Sequence, residues 1–153
     1  MRAGTAAGRD PASLRAELQA LLVAHETEAV AQTRSWLPHA GPDVTLRVEV
    51  LCMEARWSEA LAAVRPPARC RIEVLCDLAR HLGEEHAAQR VELLQRALRS
   101  SMLSATSPYR GELELVREIC RLLDPAQRDR WLHALRVEYK GKRNFVGGLP
   151  GGA

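Results

Sequence analysis

Aromatic residues are scarce in this chain: one Phe, two Tyr and three Trp make up 4% of its 153 residues. Sheet interiors rely on aromatic and β-branched side chains, whereas the apolar share here is mostly Leu, Ala and Val, and Leu and Ala form helices well. The shortage therefore argues against a β-rich core and for an all-α protein. Long apolar runs are missing too: nothing approaches the roughly 18 residues of a membrane span, and MRAGTAAGRD at the start has no apolar core for a secretory signal. A soluble, cytoplasmic protein is expected. Lysine is rare, with Lys140 and Lys142 the only two among 22 cations, and the formal charge of +3 is too small to indicate a nucleic-acid partner unless it is localised.

The usual constellations of chemistry are also lacking. Cys52, Cys70, Cys76 and Cys120 sit inside helical apolar patterns rather than a tight framework, as reduced core thiols do. The most metal-like set is Cys70, Cys76, His81 and His86, whose spacings are six, five and five residues. On a helix such spacings throw successive members about 240° and 140° apart, so they cannot converge on zinc. Cys120 has no His within a helical turn to activate it, and Glu84-Glu85 read as acids at the positive end of a helix dipole rather than an acid–base pair. The glycines from Gly147 to Gly152 precede no expected helix and lack the lysine and hydroxyl of a phosphate loop. No catalytic residue, metal or cofactor is expected, and no enzyme.

What is present is helical periodicity, broken at regular intervals. Residues 1–9 read as a disordered tail. Asp10-Pro11 opens a first helix with Leu14, Leu18, Leu21, Leu22, His25 and Ala29 along one face, ending before Pro38 with Trp36 seating the turn. Asp43 is placed to cap a second helix through Leu46, Val50, Leu51 and Met53, and Ser58 a third that stops at Pro66-Pro67. A fourth is expected from about Ala68 to Leu82, closed by a left-handed Gly83, and a fifth from Glu84 to Ser104 with Ala87, Val91, Leu94, Leu98 and Met102 on a narrow stripe. Pro108 opens a sixth with Leu113, Val116, Ile119, Cys120 and Leu123 inward, and Asp124-Pro125 a seventh anchored by Trp131, Leu132, Leu135 and Tyr139.

Arg47-Val48-Glu49-Val50-Leu51-Cys52 matches Arg71-Ile72-Glu73-Val74-Leu75-Cys76 at five of six positions, with an echo at Arg117-Glu118-Ile119-Cys120. Repeated helix starts are the mark of stacked hairpins, each covering its neighbour's open face. The expectation is about seven helices stacked as antiparallel hairpins in a short α-solenoid: one domain over residues 10–146, then a flexible Gly-rich tail over 147–153.

Three stretches carry a family likeness: LRVEVLCMEARWSEAL at Leu46 to Leu61, the helix begun at Tyr109, and WLHALRVEYKGKRNF at Trp131 to Phe145. On these, residues 44 to 146 resemble the tetratricopeptide-like helical region that follows the zinc finger in bacterial SWIM zinc-finger proteins. The finger needs Cys-x-Cys and a later Cys-x-His, and this chain has neither, so the resemblance carries over no zinc or nucleic-acid role. It implies a scaffold that mediates contacts.

Charge does concentrate in one place. Between Pro125 and Val146, Arg128, Arg130, Arg136, Lys140, Lys142 and Arg143 face only Asp129 and Glu138. Cations at a helix C-terminus stabilise it, so a helix stop at Gly141 is one reading; phosphate contact through Arg136, Lys140, Lys142 and Arg143 is the other. No aromatic residues interleave these cations in the sequence to stack on bases. The expected function is a non-catalytic module that binds a protein partner or a second copy of itself, the latter through the stripe of the fifth helix. A nucleic-acid partner met by the basic end is the alternative.

Overall fold

The computed structural model of the chain describes residues 10–33 and 41–151, without the side chains of 29–33. The expected tail at 1–9, the Ala29 side chain, Trp36, the Leu37-Pro38 break and residues 152–153 lie outside what is described. Among the described residues the protein is all-helical and without strands: α1 (Pro11–Thr33), α2 (Thr45–Met53), α3 (Trp57–Ala63), α4 (Ile72–His81), a 3-10 turn (Glu84–His86), α5 (Ala87–Met102), α6 (Arg110–Leu122), α7 (Pro125–Glu138) and α8 (Arg143–Gly148). None is long and apolar enough to cross a membrane. The chain falls into two compact units, Met1–Arg71 and Ile72–Ala153.

In the first unit, α1 packs on α2 with a different face from the one its leucines suggest. Leu14, Leu18 and Leu21 are 46%, 40% and 69% exposed, while Leu22 and Glu26 are buried. Two ion pairs lie on the buried side: Arg15 reaches Glu54 at 3.7 Å and Arg47 holds Glu26 at 3.0 Å. Residues 15, 22 and 26 share one helical face, about a quarter turn from Leu14, Leu18 and Leu21, so of the expected stripe's leucines only Leu22 faces inward. Burial pushes the Glu26 carboxyl up, and Arg47 opposes the shift.

The end of α2 is a Schellman motif, in which the Ala55 N–H donates to the Cys52 carbonyl (3.0 Å) and the Arg56 N–H to that of Leu51 (2.9 Å). Ala55 occupies the left-handed position, φ 55°, that usually falls to glycine. The expected Ser58 cap is displaced: α3 starts at Trp57 with Arg56 at its N-cap, and the Arg56 guanidinium spans Glu54 and Glu59 across the turn. The unit closes on an isolated parallel bridge, Val44 N–H to the Arg69 carbonyl (2.8 Å) and Arg69 N–H to that of Pro42 (2.7 Å). This pairing holds residues 68–69 extended, which is why α4 begins at Ile72 rather than near Ala68. It also needs Gly41, where a Cβ would lie 1.9 Å from the Pro67 carbonyl oxygen.

In the second unit, α5 packs against both α4 and α6. Its inward face is wider than a narrow stripe, since Leu93 and Ala97 join Leu94, Leu98 and Met102 in the core, whereas Ala87 is exposed. The seam expected to serve a second copy is thus occupied inside the unit. Gly83 is extended (φ −81°, ψ −178°) and precedes the 3-10 turn instead of closing α4 in the left-handed region. Asp124 caps α7 as its Pro125 neighbour suggests, its carboxylate accepting from the Gln127 N–H at 2.8 Å.

The last element is the departure from expectation. Residues 143–148 form α8, and Leu149 beyond it is buried, so the Gly-rich segment begins inside packed structure. Phe145 seats the helix: it is fully buried, with the Tyr109 and Tyr139 rings edge-on at 5.7 and 5.3 Å. Gly148 lets α8 lie close on α6, as a Cβ there would meet Leu113 Cδ1 at 2.5 Å. The seventh-helix anchors divide accordingly: Leu132 and Leu135 are buried, Trp131 and Tyr139 half-buried.

The near-identical segments of α2 and α4 do not bury the same positions. Val48 and Leu51 are inward in the first copy, and Val74, Leu75 and Cys76 in the second. Only the Leu51/Leu75 position is buried in both. α2 needs one narrow face for α1 and α3, whereas α4 lies against the broad side of α5.

Candidate interaction groove

Because α5 has α4 and α6 on one side, those two helices leave a trough between them. Ser101 in the last turn of α5 donates to Glu112 at the start of α6 (2.7 Å), and Arg80 at the end of α4 donates to Glu118 in the second half of α6. α5 runs back from the end of α4, so α4 and α6 point the same way. The trough has a volume of about 740 Å³. Ile72, Cys76 and Leu115 supply its apolar surface and charged side chains its walls.

Arg80 of α4 bridges the two walls with a two-pronged bond to Glu118 of α6, Nε to Oε1 and Nη2 to Oε2, both at 3.0 Å. This bond holds the Glu118 carboxyl below the usual carboxylate range against the opposing effect of burial. Glu73, Asp77, Glu112 and Glu114 line the first half of the trough, and Arg117 and Arg121 the second. Arg117 and Arg121 also border a smaller hollow of about 380 Å³, floored by Cys120 and Leu132 and edged by Arg128 and Pro150.

The residues marked by sequence lie elsewhere, and two of the four, Arg136 and Lys142, contact their own unit. Arg136 donates to the Pro150 carbonyl at 2.9 Å, and the Lys142 ammonium lies 5.8 Å from the centre of the Tyr109 ring. Lys140 is exposed on the turn after α7, and Arg143 is exposed at the first position of α8. None of the four lines either hollow. Burial pushes the Cys76 and Cys120 thiols up, opposite to what a nucleophile needs. Among the described residues no three His, Cys, Asp or Glu side chains are placed to hold a metal, and His81 Nδ1 lies 2.6 Å from the Asp77 carbonyl oxygen.

Sequence reasoning missed the trough because it belongs to two helices separated by a third. The one available signal was the run of charge at Glu112, Glu114, Arg117, Glu118 and Arg121. Comparisons with family models, characterised proteins and solved structures returned no match to this chain.

Proposed function

We propose that the chain is a non-catalytic, tetratricopeptide-like helical module of the cytoplasm that binds a protein partner in the trough between α4 and α6. The observation that carries this reading is the trough itself: about 740 Å³ of space with an apolar floor and walls of unevenly distributed charge. Its volume suits the few side chains that anchor a peptide, and its charged walls suit a polypeptide better than an apolar small molecule. Cys52, Cys70, Cys76 and Cys120 are all free thiols, in keeping with a reducing compartment. The resemblance to the helical region of SWIM-associated proteins fits the same role.

The test is affinity capture from the native cell, read by mass spectrometry, with three baits: the natural chain, a trough variant (E114K/R121E) and a tip variant (K140A/K142A/R143A). The same proteins are expected on the natural chain and the tip variant, and not on the trough variant. Capture that survives the trough change, or nucleic acid lost only with the tip change, overturns the proposal.

A further inference from the structure

The charges of the trough are ordered along its length. Glu73 stands at the start of α4, Glu112 and Glu114 near the start of α6, and Arg117 and Arg121 one and two turns further on. Both arginines are exposed and neither comes within ion-pair distance of a carboxylate among the described residues, although Arg121 is close enough to Glu118 to help hold its carboxyl down. The trough is therefore acidic where its two walls begin and basic along the end of its α6 wall, where Arg80 and Glu118 satisfy each other and leave Arg117 and Arg121.

A helix has the opposite habit when laid antiparallel to those walls. Acidic residues are favoured in its first turn and basic residues in its last, because the backbone dipole is positive at the N-terminus. Turned antiparallel, its acidic start meets Arg117 and Arg121 and its basic end meets Glu73, Glu112 and Glu114. A parallel helix of the same kind would set like charges together, which costs affinity. Packing opposite to its neighbours is also how α5 covers the other side of the same pair.

Building on the trough reading above, we infer that the occupant is one amphipathic helix of a protein partner, antiparallel to α4 and α6, acidic in its first turns and basic in its last. Apolar residues at three- and four-residue spacing between those ends would meet Ile72, Cys76 and Leu115.

The experiment is a display selection on the full-length protein. The library consists of helix-forming peptides of about 14 residues, a length spanning roughly 21 Å, with fixed apolar positions and randomised charged ones. Counter-selection uses the E73K/E114K/R117E/R121E variant, all four positions being exposed. Enriched peptides are expected to carry Asp or Glu first and Lys or Arg last, and to bind roughly tenfold more tightly than versions with the order reversed. The variant should prefer the reversed peptides. Enrichment with no charge order overturns the inference but leaves the trough as a binding site, and enrichment of basic-first peptides overturns the antiparallel placement. If no peptide is enriched over the variant, the trough reading itself fails.

Discussion

Arg80 and Glu118 are 38 residues apart in sequence and joined by two parallel hydrogen bonds of 3.0 Å, which tie the end of α4 to the middle of α6. Both side chains are partly exposed, at 51% and 25%, so solvent screening keeps the pair modest. A double-mutant cycle with Arg80→Ala and Glu118→Ala, read by urea denaturation, should give a coupling of about 0.5–1 kcal/mol. Because the folded Glu118 carboxyl is lowered, its contribution is present above the ordinary value near 4.5 and is lost as pH falls through the lower folded value. The coupling should therefore be intact at pH 7 and fade in acid.

Glu26 gives the opposite sign. Its folded carboxyl is raised by burial, so the favourable contribution is fullest below its ordinary value and declines as pH rises through the raised one. Glu26→Gln cannot titrate, so the natural chain should lose stability relative to this variant between pH 4 and pH 7. Parallel denaturation curves at several pH values measure the difference; a constant offset would show that Glu26 is not desolvated.

Phe145, rather than Trp131, is the aromatic anchor of the closing region. Phe145→Ala removes a fully buried ring held between Tyr109 and Tyr139 and should cost about 3–5 kcal/mol. Trp131 is only half-buried, so Trp131→Ala should cost less, about 1–2 kcal/mol. Thermal melts of the two variants rank them directly.

Ala55 holds a left-handed conformation at the close of α2. Replacing it with glycine removes the clash of Cβ with the backbone, at the cost of extra freedom in the unfolded chain. Ala55→Gly should stabilise the protein by about 0.5–1 kcal/mol. A lower midpoint in urea would mean that the turn is not strained.

Much of the fold was legible in the residues. Helix content followed from Leu, Ala and Arg with few strand formers, and the start of α7 was written in Asp124-Pro125, where a carboxylate accepts the orphan amide and proline needs no partner. Such signals are local, and local chemistry decides them. Which faces are buried is not a local matter. In α1 it is Leu22 and Glu26 that face inward, with Arg47 and Glu54 as distant partners on that side, while Leu14, Leu18 and Leu21 are exposed; α8 packs because Phe145 finds Tyr109, 36 residues earlier, and Gly148 allows Leu113 to approach. The trough depends on the same long-range placement. The sequence alone determined that this chain would be helical and where several of its helices begin; tertiary packing decided which charges line a common surface, because α4 and α6 are separated in the chain by α5 and come together only when both pack against it.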